Sequence, residues 1–168
     1  MPFVGTAGTR RELMADLTRA LAPGSPETLL ALVRFYGLAD LIIAFGLVAH
    51  DRLLDASARG AQVETGSEGR VYRPRNNELA VLLKCPLEEA IEIVDSITSA
   101  LGELGSARDV DVEVGIAILP DEADSPIAAL ERADRRLLAS DHEPDDAVQA
   151  RRARRTLARE AAQQRQAS

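Results

Sequence analysis

The stretch from Val71 to Leu83, VYRPRNNELAVLL, constrains the fold most. Arg70–Pro74 and Glu78–Lys84 have strand composition on either side of Arg75-Asn76-Asn77. Asparagine tolerates positive φ, so a tight turn is expected there. A second apolar run, Thr28–Tyr36, is short and nearly continuous, as in a strand covered on both faces, although periodicity alone also allows a helix. A third, Val110–Ile118, alternates and then becomes wholly apolar, which reads as a central strand.

Helical patterns lie between these strands. Thr9 and Glu12 have the spacing of a capping box before a helix running from Arg10 to about Leu21, with Leu13, Leu17, Ala20 and Leu21 on one face. Pro23-Gly24-Ser25-Pro26 ends it. Two further helices are expected over Ala39–Phe45 and Val48–Arg59, joined at Gly46, followed by a polar connection from Gly60 to Gly69. Pro86 opens a helix to about Leu104 with Ile91, Val94, Ile97, Thr98 and Leu101 facing inward. Ser125 caps another, with Pro126 at its first position, that runs to about Ala139. Interleaved strands and helices imply an α/β or α+β sandwich.

Composition excludes several functions. The 168 residues carry a net charge of −7, which disfavours binding nucleic acid over the whole surface. The single Cys85 rules out an internal disulfide, suits a reducing cytoplasm and reads as a quiet structural thiol. No stretch is long and apolar enough to span a bilayer, and no signal peptide is evident. His50 and His142 do not have metal-pair spacing, and there is no phosphate-cradling Gly-rich loop. After Pro144-Asp145-Asp146, a helix over Ala147–Gln164 carries Arg151, Arg152, Arg154, Arg155 and Arg159. It reads as a solvated appendage, with contact to nucleic acid or to an acidic partner as the alternatives.

Several blocks together resemble the GGDEF (diguanylate cyclase) family over residues 5–141. They are Thr6-Ala7-Gly8-Thr9-Arg10-Arg11, Phe45-Gly46 with His50-Asp51, the hairpin Val71–Leu83, Val114-Gly115-Ile116-Ala117, and Ala133-Asp134-Arg135-Arg136-Leu137-Leu138. The resemblance implies a mostly antiparallel central sheet flanked by helices, as in class III nucleotidyl cyclases. It also implies a domain over 1–142 and an Arg-rich helical tail over 143–168. The chain starts almost at the domain opening, so no sensory domain is expected before it.

The family joins two GTP molecules, using carboxylates on adjacent strands to hold divalent metal. Here the first metal aspartate falls at Arg34, a second aspartate of that strand at Tyr36, and the acidic third position of the signature at Asn77. An arginine repels a cation, and a carboxamide is a poor substitute for a carboxylate. The signature hairpin becomes Arg75, Asn76, Asn77, Glu78 and Leu79, with side chains where two glycines would let backbone approach the nucleotide. The guanine-reading asparagine falls at Ile42 and the late phosphate-binding lysine near Asp141. The product-inhibition position reads Gly66-Ser67-Glu68-Gly69, which does not support cyclic di-GMP binding by that route.

Asp51 survives as a guanine-contacting carboxylate, or else caps or solvates the helix it starts. Glu78 is a relic metal ligand or a solvated strand-edge carboxylate. The family's strand adjacency implies an ion pair between Arg34 and Glu78. These departures imply a catalytically inactive GGDEF-like domain, a pseudoenzyme without catalytic residues, metal or cofactor. It is expected in the cytoplasm and to work through a protein partner or self-association in bacterial cyclic di-GMP-related signalling. Membrane and nucleic acid are not expected partners. The alternatives are a GTP or nucleotide sensor without turnover, and an active cyclase with relocated ligands.

Overall fold

The computed structural model describes residues 6–140 and 163–165. The chain divides into two units, Met1–Leu137 and Leu138–Ser168. In the second, residues 163–165 are helical. The rest of the expected Ala147–Gln164 helix lies outside the described residues, as do Asp141 and His142.

The first unit begins with β1 (Gly8–Thr9), a two-residue strand that no apolar pattern announced, and α1 (Arg10–Ala20). The capping box forms: Glu12 N donates to Thr9 Oγ1 at 3.2 Å and Thr9 N to Glu12 Oε2 at 2.6 Å. There follow β2 (Thr28–Tyr36), α2 (Leu38–Phe45) and α3 (Leu47–Thr65). A 3₁₀ turn (Gly66–Glu68) leads to β3 (Gly69–Arg75) and β4 (Glu78–Leu83). The described part of the unit ends with α4 (Leu87–Ser106), β5 (Asp111–Leu119) and α5, which runs over Pro126–Ser140.

The sheet has five strands in the order β1-β3-β4-β2-β5. All neighbours are antiparallel except β1 and β3. β2 lies between β4 and β5, which explains its continuous apolar run: it is buried on both faces. Its alternation sorts two cores. Leu29, Ala31, Val33 and Phe35 meet Leu53 and Leu54 of α3 and Val94, Ile97 and Leu101 of α4. Leu30 and Leu32 meet Leu13 and Leu17 of α1 and Ala129, Ala133 and Leu137 of α5. Strand parity therefore decides which helix pair each β2 side chain addresses.

Four local expectations need correction. The polar connection from Gly60 is largely helix, because α3 continues to Thr65 and buries Ala61 and Thr65. One glycine costs a helix only about 1 kcal/mol, and burial of that face outweighs it. The turn is Asn76-Asn77 alone, since Arg75 pairs with Glu78. Neither asparagine has positive φ; an irregularity in register between Tyr72 and Arg75 takes up the bend instead. In α4 the buried stripe is Ala90, Val94, Ile97 and Leu101, while Ile91, one residue round the helix, is 42% exposed. Finally, α3 starts at Leu47, so Asp51 does not begin it.

Candidate functional site

The sheet places Arg34 of β2 directly opposite Glu78 of β4. Cross-strand partners project from the same face, here the face of Leu32 covered by α1 and α5. The guanidinium reaches the carboxylate twice: Nε donates to Glu78 Oε1 at 3.0 Å and Nη2 to the same oxygen at 2.6 Å. Nη2 also donates to Asp134 Oδ1 on α5. The expected ion pair between neighbouring strands is therefore present, and a third group joins it. Asp134 belongs to the closing Ala133-Asp134 block, but nothing in its spacing announced this contact.

Glu78 is 4% exposed, and β4 is an interior strand, so it is not a solvated strand-edge carboxylate. A buried anion needs a partner, and Arg34 supplies it. Burial works against the charged guanidinium, but its hydrogen bonds to Glu78 and Asp134 outweigh that cost. Its pKa lies above the usual arginine value, with further support from a side-chain hydrogen bond with Tyr36, two residues along β2 on the same face.

Beside this triad lies a cleft of about 220 Å³. Its apolar wall includes Leu32, Pro74, Ile127 and Leu130, and Arg10 and Arg75 stand at its margin with Glu131. Arg75 is exposed, with Nε 3.9 Å from Glu78 Oε2. Leu79 points the other way, into the core with Val33 and Val81.

The remaining candidates lie apart. Asn77 exposes its carboxamide, while its backbone carbonyl accepts from Phe35 N at 2.9 Å and ties the turn to β2. Ile42 and Asp51 belong to α2 and α3, whose buried residues join the opposite core, and neither lines the cleft. Asp51 is exposed, 3.0 Å from His50 Nδ1 and 3.9 Å from Arg73 Nη2. The structure thus joins Arg34 with Glu78 and leaves Asp51 on the other side of the sheet.

A divalent metal does not fit this donor set. Magnesium demands near-octahedral oxygen ligation. Arg34 offers only N–H donors and holds the oxygens of Glu78 and Asp134 through them. Among the described residues no group of three or more His, Cys, Asp or Glu side chains is placed to hold a metal ion. No described helix is long and apolar enough to cross a membrane.

No protein-family profile matches the sequence, and no curated protein matches it significantly. Solved structures do match in fold. The GGDEF domain of PA1120 (YfiN or TpbB) from Pseudomonas aeruginosa superposes with a TM-score of 0.69 at 23% identity, covering 80% of this chain and 90% of that one. The GGDEF domain of DgcB from Caulobacter crescentus, in complex with c-di-GMP, gives 0.69 at 18% identity over 80% of this chain and 83% of that one. Diguanylate cyclase SiaD from Pseudomonas aeruginosa, in complex with its activator SiaC, gives 0.69 at 18%, over 81% of this chain and 55% of that one. The chain has the GGDEF-domain fold, with the mostly antiparallel, helix-flanked sheet that the sequence led us to expect.

Proposed function

We propose that this chain is a non-catalytic GGDEF-like domain that acts through a protein partner or self-association in cyclic di-GMP-related signalling. One observation carries the reading: the Arg34 guanidinium is seated between Glu78 and Asp134, where cyclase chemistry would require a cation held by oxygen. A guanidinium cannot lose its charge at working pH and cannot polarise a triphosphate as a metal does. The side chains of Arg75 and Asn76 at the hairpin add to the obstruction, because glycines there would let a nucleotide approach the backbone. The complex of SiaD with SiaC supports protein contact as a mode of action for this fold.

A nucleotide sensor is the second reading, favoured by one fact: Asp51 remains exposed and accessible. Two measurements on the whole chain separate the possibilities. Incubation with GTP and Mg²⁺ is expected to yield no cyclic dinucleotide, and calorimetry with GTP and Mg²⁺ no binding heat. Binding without product would favour the sensor. Product formation that persists in the purified chain would overturn the non-catalytic reading.

A further inference from the structure

Four large apolar side chains stand in water at the corner between α2 and α3. Ile43, Phe45, Leu47 and Val48 are between 63% and 83% exposed. Phe45 lies one turn beyond the buried Leu41 of α2, and Leu47 two turns before the buried Leu54 of α3. The buried stripes of both helices therefore run on past the edge of the core and end uncovered. The chain turns at Gly46, where an added Cβ would meet nothing within 4 Å, so the corner is open on that side. Single exposed apolar residues are ordinary on a protein surface, but a cluster of this kind marks a contact.

The patch continues along α3. Val48, Arg52, Arg59 and Val63 recur at helical spacing on the side opposite the buried Leu53, Leu54, Ser57 and Ala61. Val63 is 79% exposed. Among the described residues no carboxylate pairs with Arg52 or Arg59. The nearby acids, Asp51 and Asp55, lie to one flank of the stripe and face Arg73 at 3.9 and 3.5 Å. The two unneutralised guanidiniums are two turns apart, about 10 Å along the helix axis. Apolar surface carrying cations at a helical repeat is complementary to an amphipathic helix carrying carboxylates at the same repeat.

We propose that the α2–α3 corner and the outward stripe of α3 bind an acidic amphipathic helix of a partner protein. Its carboxylates, two turns apart, meet Arg52 and Arg59, and its apolar side chains cover Phe45, Leu47 and Val48. This rests on the reading that the domain works through a protein partner, and names the surface. Charge decides against the other coverings. A two-fold contact between copies across the stripe would set the arginines of one copy against those of the other. An anionic bilayer would repel a chain whose net charge is −7, whereas a helix touches the stripe alone.

Fluorescence anisotropy on the full chain tests this with two labelled helical peptides as probes. One is built of leucine, alanine and glutamate, with the glutamates two turns apart; the other has lysine in place of each glutamate. The acidic peptide is expected to bind and the lysine peptide not. Reversing both charges, Arg52→Glu with Arg59→Glu, should weaken the acidic peptide by about tenfold or more and admit the lysine peptide. Phe45→Ser should weaken the acidic peptide without a change of charge. All three side chains are exposed, so both variants should unfold at nearly the same temperature as the unmodified chain. No binding of the acidic peptide, equal binding of the two peptides, or affinities unmoved by the arginine reversals would overturn the proposal. So would a dimer in sedimentation that Phe45→Ser dissociates, which gives the patch to a second copy. Binding to phosphatidylserine vesicles that Phe45→Ser abolishes would overturn it in favour of a membrane. Cyclic dinucleotide formation is measured separately: a chain that makes none and ignores the acidic peptide loses this surface alone, not the non-catalytic reading.

Discussion

Glu122 and Arg136 close over the free edge of the sheet. Arg136 Nη1 lies 2.8 Å from Glu122 Oε2 and Nη2 2.5 Å from Oε1, a bidentate pair. Together they take up backbone groups of the edge strand β5: Ile118 N donates to Glu122 Oε2 at 2.7 Å, and Arg136 Nη1 donates to the carbonyl of Ile116. An open ladder edge invites pairing with another chain, and this pair blunts it at two positions.

Acid should loosen that edge. The Arg136 hydrogen bonds hold the Glu122 carboxyl below the usual carboxylate range, against an opposing effect of burial, and the bond from Ile118 N adds to the lowering. A carboxylate with a depressed folded-state pKa stabilises the fold above its unfolded value, and that contribution is lost as pH falls through the folded one. Glu122→Gln should therefore flatten the acid limb of a stability-versus-pH curve measured by urea unfolding. Glu122→Ala should cost about 1–2 kcal/mol near neutral pH. An acid limb identical in Glu122→Gln and the unmodified chain would contradict this.

Gly115 sets how closely α5 approaches β5. A Cβ at this position would sit 2.1 Å from the carbonyl oxygen of Ala133, a backbone atom with no flexible end to give way. Gly115→Ala must push the helix off the strand, with a cost of about 1–3 kcal/mol for overpacking. Chemical denaturation gives the number, and an unchanged midpoint would show that the helix moves freely.

Two isoleucines of α4 should differ on truncation. Ile97 is 1% exposed within the core of α3, α4 and β2, whereas Ile91 is 42% exposed. Ile97→Ala should destabilise by about 2–5 kcal/mol. Ile91→Ala should cost less, because 42% of its surface stays in water against 1% for Ile97. Equal losses would mean that Ile91 is buried in solution.

Cys85 should resist thiol reagents in the folded state. Burial pushes its thiol up, and Glu89 and Glu68 add to the effect, so the reactive thiolate is scarce at neutral pH. Ellman's reagent should react slowly with native protein and promptly once urea unfolds it. Rapid native reaction would show that the residue opens to solvent.

Much of the fold was legible along the chain. The Thr9–Glu12 cap, the doubly covered run at Thr28–Tyr36 and the hairpin each follow from local chemistry, because caps, turns and alternation are set by near neighbours. β1 was not legible, since two residues carry no period. The extension of α3 past Gly60 was hidden because only burial of Ala61 and Thr65 overrides the local weakness of glycine. The Arg34–Glu78 pair was accessible through the family's strand adjacency. Asp134 was not, since it lies 100 residues from Arg34 in sequence.

By itself, the order of residues determined that a guanidinium and a carboxamide stand at Arg34 and Asn77, and that strands and helices interleave around an apolar core. Side-chain chemistry and periodicity are properties of the chain and need no partner to be read. Only the tertiary structure decided where the charges go. It turned Arg34 to the α5 face, buried Glu78 beneath it, brought Asp134 onto the same nitrogen, and left Asp51 across the sheet. Those outcomes follow from strand register and helix docking, which are fixed by packing between segments far apart in sequence.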